Sequence, residues 1–273
     1  MRKSTAVIAQ IGFLGLAAPA LAGVTVTLQG GTDHSVLYLE GNKMRVESDK
    51  GRSPGGLVIY DGDQQKMLIL DPAKKTYSEM TPEGFKAMTK SMTARLEEAK
   101  AKMTPEQRKQ MDDMMAKMSP EQRKQLEGAM GGSGSPPAEK PKAPQLKWER
   151  TGTKQTVAGY PCEGFKEIKD GKPDAEGCYI PWNAGAVSKS DLGPMRKMDE
   201  FISQSGLTAP SQRGLTTFTQ LDQMPGFPGI WIRTSSGEAK EEQRVTDIKR
   251  GSIPADKFQL PSGYTKEDFG SKH

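Results

Sequence analysis

Histidine and cysteine are nearly missing from this 273-residue chain, which has two of each: His34, His273, Cys162 and Cys178. A single internal histidine excludes a multi-histidine zinc or iron centre and any two-histidine mechanism, and two thiols cannot build a four-thiolate cluster. Apolar residues make up only 34% of the chain. After residue 22 no apolar run approaches the ~18 residues that a membrane-spanning helix requires. There is no G-x-S-x-G motif, and His34 stands beside Asp33 in a polar turn, so no Ser-His-Asp nucleophile is in view. The glycines at 55, 56, 131, 132 and 134 lack a following Lys-Ser/Thr or strand-turn-helix context, so no phosphate-cradling loop is present. Glu40, Glu47, Asp61 and Asp71 read as hairpin and strand-edge charge rather than as an acid/base pair. A strong excess of either charge is also missing. The net charge is +5, and Arg2 and Lys3 supply two of those units, too few and too dispersed for a nucleic-acid footprint.

What is present begins with an address. Residues 1–22 combine basic Arg2 and Lys3, a short apolar run over 6–18 and Ala20-Leu21-Ala22 as a small-x-small cleavage site. They read as a signal peptide without a lipid-attachment cysteine, which implies a mature chain starting near Gly23 in a bacterial periplasm. In that oxidising compartment Cys162 and Cys178 are expected to pair. They flank a turn signal, Lys169-Asp170-Gly171-Lys172. A three-residue loop at 169–171 sets residue 168 against 172 and therefore 162 against 178, which predicts a structural cross-strand disulfide. A redox-active pair would instead favour C-x-x-C at a helix start.

Residues 23–80 are patterned as strands: 24–28, 35–40 and 43–47 around the turn Gly41-Asn42, then 57–60, 67–70 and 76–78. The connections are short, which predicts an antiparallel meander. At Thr81 the period changes. Phe85, Met88, Met92, Leu96, Ala99 and Met103 recur at helical spacing. The tandem repeat MTPEQRKQM (103–111) and MSPEQRKQL (118–126) follows, each unit carrying an N-cap, a Pro at N1 and a Gln at N3. Residues 81–130 are thus a Met-rich helical insertion, and 131–145 a flexible Gly/Ser/Pro linker. Strands resume from 146 to 264 as the second half of the β domain, with an amphipathic helix over 190–205 capped by Ser190 or Asp191. Residues 265–273 form a polar tail. The expected class is mainly β with helices (α+β), in which one antiparallel sheet is built from two stretches.

Nine of the fifteen methionines lie between 80 and 130, and Met111, Met114, Met115 and Met118 line one face of the middle helix. Such a stripe packs an apolar face, presents an adaptable surface to partners, or offers soft thioethers to Cu(I). No other metal or cofactor is implied. Trp148, Trp182 and Trp231 all fall in the second β stretch, where indole rings fill a core or line a cavity and its mouth.

Two resemblances follow. Tyr38-Leu39-Glu40-Gly41-Asn42-Lys43-Met44-Arg45-Val46-Glu47, Leu68-Ile69-Leu70-Asp71-Pro72 with Lys75-Thr76-Tyr77, Val157-Ala158-Gly159-Tyr160-Pro161-Cys162, Gly226-Phe227-Pro228 and the run Phe258 to Tyr264 occur in the order of an exported bacterial family. That family is domain-of-unknown-function family 4412 (DUF4412), which in turn resembles the periplasmic lipoprotein-carrier (Lol-type) half-barrel. The resemblance implies a curved antiparallel sheet with an apolar concave face covered by helices, and carries no catalytic residues. The TPEQ and SPEQ helix starts are similar to those of Spy-type periplasmic chaperones.

Together these features predict an exported, non-enzymatic binding protein. Its half-barrel would hold an apolar small molecule, an acyl chain or the tail of a lipidated protein, with Trp148, Trp182 and Trp231 at the ligand. The alternative is a chaperone-like or envelope-stress protein using Met111, Met114, Met115 and Met118 against envelope proteins. Periplasmic copper binding is a third reading.

Overall fold

A computed structural model describes residues 23–49, 56–87, 145–204, 223–234 and 240–268, with single positions at 90, 91, 94, 98 and 104. The expected leader, most of the insertion with Met111, Met114, Met115 and Met118, and the linker up to 144 lie outside the described residues. Twelve strands form one open sheet: β1 (Gly23–Gly30), β2 (Asp33–Glu40), β3 (Lys43–Ser48), β4 (Leu57–Asp61), β5 (Lys66–Asp71), β6 (Thr76–Met80), β7 (Leu146–Val157), β8 (Tyr160–Lys169), β9 (Lys172–Pro181), β10 (Gly226–Thr234), β11 (Lys240–Gly251) and β12 (Thr265–Lys266). The spatial order is β12-β6-β5-β4-β3-β2-β1-β11-β10-β9-β8-β7. All neighbours are antiparallel except β12 on β6. The fold is therefore β-rich, and both sequence stretches contribute to the same sheet.

The short turns dictate this order. The segments 24–80 and 146–181 each run as meanders, and the sheet becomes continuous because β1 pairs with β11 across the whole sequence. Each meander has its own alternation, and burial follows it. Val24, Leu39, Met44, Tyr60, Met67 and Met80 stand directly opposite one another on six successive strands, and all are buried. They define the front face. The back face of β4–β6 is apolar as well: Leu57, Ile59, Leu68 and Leu70 form a second, separate core with Tyr77, Leu260 and Tyr264.

Two segments from the second stretch cross the first. On the front face the chain leaves β9 through a 3-10 turn (Trp182–Ala184) and enters a helix, Gly193–Gln204. This helix buries Met195, Met198 and Phe201, and the Phe201 ring packs 5.9 Å from Tyr60. A second helix starts at Pro82, where Thr81 accepts the Gly84 N–H at 3.1 Å, and its Phe85 meets Phe201 edge-on at 5.8 Å. On the back face, residues 252–264 run from β11 beneath β2–β5 to β12. There the Arg45 guanidinium donates to the Lys257 carbonyl at 2.9 Å, Lys257 Nζ lies 3.3 Å from Glu47, and the Ile253 N–H donates to Glu40.

Three expectations need correction. The 190–205 helix starts only at Gly193, and Asp191 does not cap it. Its carboxylate turns back to the Ser188 N–H at 2.7 Å and pairs with Arg250 at 2.8 Å, because Arg250 lies opposite Val24 and reaches the crossing segment from β11. The polar tail begins later than residue 265. Thr265 and Lys266 form β12, since backbone pairing asks nothing of the side chains: the Thr265 N–H donates to Lys75 O and the Glu267 N–H to Tyr77 O. The hairpin register also differs. The turn has two residues, Asp170 and Gly171, both at positive φ (50° and 79°), so Lys169 faces Lys172. A register shift at Glu167/Ile168 then sets Gly164, not Cys162, against Cys178.

Candidate functional site

Cys162 and Cys178 nevertheless form a disulfide, with Cα atoms 5.5 Å apart, joined diagonally across β8 and β9. Both are buried, and the staple fixes the hairpin that carries Tyr160, Phe165 and Tyr179.

Pleating brings four rings to one face at the β7 end. Trp148 lies opposite Glu167 and Glu167 opposite Ala175; Phe165 and Trp231 flank Gly177 on β9. Positions 148, 165, 179 and 231 thus share a face, because residues two apart on a strand point the same way. Tyr179 joins the group: Trp148 packs edge-on against it at 5.1 Å and Phe165 at 5.9 Å. The Arg150 guanidinium sits 5.7 Å from the Phe165 ring centre. Gly177 belongs here for a backbone reason. A Cβ at this position would lie 2.2 Å from the Ile230 carbonyl oxygen, so only glycine lets β9 and β10 approach this closely between Phe165 and Trp231.

Burial within the group is graded. Tyr179 and Trp231 are 1% and 6% exposed, whereas Trp148 is half-buried. Its indole Nε1 is shielded from water and makes no hydrogen bond. Glu167, 3% exposed, is a carboxylate set among these rings. Trp182 does not belong to the group. It follows the end of β9, its Nε1–H donates to the Met224 carbonyl at 3.0 Å, and the Lys189 ammonium lies 5.7 Å from its ring. Of the three tryptophans expected at a ligand, Trp148 on β7 and Trp231 on β10 share a face with two strands between them, and Trp182 lies apart. Phe165 and Tyr179 were missed by the sequence reading. Their signal is alternation along the stapled hairpin, legible only with the correct register.

The front-face helix carries one other group of chemical interest. Burial pushes the Asp199 carboxyl up to about 6, and its Oδ2 is shielded without a hydrogen-bond partner. Beneath the same helix, burial reinforced by Glu200, Asp61 and Asp63 raises the Tyr60 hydroxyl to about 12, which keeps it neutral. For Asp191, burial opposes ionisation, but the hydrogen bonds from Arg250 and Ser188 outweigh it and hold the carboxyl below its ordinary value. His34 is exposed on β2. Among the described residues no group of three or more His, Cys, Asp or Glu side chains could hold a metal ion. No helix among them is long and apolar enough to cross a membrane.

No protein-family model matches the chain, and no curated protein matches it. Solved structures with a detectable likeness include one described as "Structure of PNGF-II in C2 space group", at 7% identity and a TM-score of 0.34. The match covers 92% of this chain and 31% of that one, so this chain spans about a third of that structure's length. At this level the likeness carries no argument about fold or function.

Proposed function

We propose that the chain is an exported, non-enzymatic binding protein of the bacterial periplasm that holds an apolar ligand, such as an acyl chain or the tail of a lipidated protein. The observation that carries this reading is the gathering of Trp148, Phe165, Tyr179 and Trp231 on one face at one end of the sheet. Gly177, which carries no side chain, lies between two of these rings, and Trp148 has an unengaged indole donor. An acyl chain would lie along the rings, with a carboxyl or ester oxygen accepting from Trp148. In this reading the open sheet serves as a half-barrel cradle of the kind the DUF4412 resemblance implies, with helices over its apolar face. The disulfide supports an oxidising compartment.

Burial of about ten methylenes at about 0.8 kcal/mol each offers roughly 8 kcal/mol before ordering costs, which sets affinity in the micromolar range or weaker. The test is mass spectrometry of organic extracts from protein produced in a periplasm. A stoichiometric lipid that is reduced in a Trp231→Ala variant is the expected result. Extracts without lipid, from protein that also fails to bind a fluorescent fatty acid, would defeat the carrier reading. The chaperone-like alternative, resting on Met111, Met114, Met115 and Met118, would then lead.

A further inference from the structure

We propose that residues 252–268 act as a strap that opens and closes the back face of β3–β6 independently of the front-face core. Three observations carry this. First, the side chains under the strap form their own cluster: Leu57, Ile59, Leu68 and Leu70 pack with Leu260 and Tyr264 of the strap and are separate from the main core. Separate small clusters are the units that open locally while the rest of a fold stays intact.

Second, beside the apolar anchors Ile253, Leu260 and Tyr264, the strap's fastenings include a polar set open to solvent. Lys257 is the central one. Its ammonium contacts Glu47 at 3.3 Å and the Tyr38 hydroxyl at 3.4 Å, and lies 4.8 Å from the Tyr38 ring, while its carbonyl accepts from Arg45. The Lys257 and Glu47 side chains are about one-third exposed, so salt and water compete for their pairing. Beyond this point the strap is held by the packing of Leu260 and Tyr264, by backbone bonds that include Thr265 N–H to Lys75 O and Glu267 N–H to Tyr77 O, and by a Lys266–Glu79 ion pair at 3.6 Å, and both β12 side chains are exposed.

Third, the junction with β11 is solvent-exposed ahead of the buried Ile253. Gly251 and Ser252 are exposed, and the space beside Gly251 is open. Release of the strap bares four aliphatic side chains and the edge of β6, and leaves the row from Val24 to Met80 covered on the front face.

Thiol labelling tests this directly in the full chain, where Cys162 and Cys178 are paired and silent. Leu70→Cys places a thiol under the strap, and Leu39→Cys places one equally deep on the front face. The expected result is labelling of Leu70→Cys at least tenfold faster than Leu39→Cys under native conditions. Adding Lys257→Met should accelerate the first and leave the second unchanged. Equal rates, or a Lys257→Met effect on both positions or on neither, would overturn the strap. Should either cysteine variant fail to fold, hydrogen exchange of the unmodified chain decides. Amides across 252–268 exchanging together ahead of those in 160–180 support the strap, and exchange of both regions at one global rate overturns it.

Discussion

At the β6 end of the sheet the chain covers itself. β12 pairs along the outer strand, the Gly193–Gln204 helix packs on the front, and the 252–264 segment packs on the back. At the β7 end no strand among the described residues pairs beyond the outer one: Lys147 and all residues from Glu149 to Thr156 are exposed. This edge is protected by other means. Its pairing with β8 shifts between Arg150 and Lys154, where Gly164 makes room for Thr151 and Thr153. Lys147, Arg150 and Lys154 line it, and a disulfide and edge-packed rings stiffen the two strands behind it. A bulge and charge discourage a neighbouring chain from pairing with an exposed edge. The contrast teaches that one end is stabilised by long-range packing and the other by local staples, and the rings proposed to bind a ligand belong to the locally stapled end.

Substitutions that remove packing from the covered end should therefore cost most. Phe201→Ala deletes the ring that joins Tyr60, Phe85 and the helix, and should lower stability by about 3–5 kcal/mol in denaturant titration. Next comes the staple. Replacing Cys162 and Cys178 together by alanine should cost about 3 kcal/mol, the value for a closed loop of this size. A cost of about 5 kcal/mol or more, the top of the range for Phe201→Ala, would mean that the β7 end depends on its staple as the β6 end depends on packing. Trp148→Ala, at a half-buried ring on the edge strand, should cost about 1–2 kcal/mol, less than the range for a fully buried ring.

The smallest effect concerns pH. Asp199 titrates near 6 when folded and near 3.8 ordinarily, so the folded state binds its proton more tightly. Its burden is absent below about pH 4, grows between 4 and 6, and is complete above 6. Asp199→Asn should therefore stabilise the chain at pH 8 by about 1 kcal/mol, after discounting for partial exposure, and by nothing at pH 4. Thermal midpoints measured at both pH values check the sign.

Much of this was legible in the sequence, for identifiable reasons. The hairpin around Gly41-Asn42 and the pairing of Cys162 with Cys178 both leave local marks, in turn residues, alternation and cysteine spacing. What stayed hidden depends on pairings distant in sequence or on backbone alone. Nothing in Gly23–Gly30 announces that β1 will sit beside β11 at the middle of the sheet. β12 is polar and only two residues long, so no side-chain pattern marks it. A turn one residue shorter than expected moved every partner along β8 and β9, which is why Phe165 and Tyr179 escaped notice as companions of Trp148. Asp191 looked like a helix cap because its destination, Arg250, lies 59 residues away.

The most direct measurement is ligand-induced fluorescence in three variants that each keep one tryptophan, with the other two replaced by phenylalanine. Oleate added up to about 100 µM, which spans micromolar affinity, should shift the emission of Trp148 alone and of Trp231 alone and leave Trp182 unchanged. A response from Trp182 only, or from none of the three, would contradict a ligand site at the β7 end of the sheet.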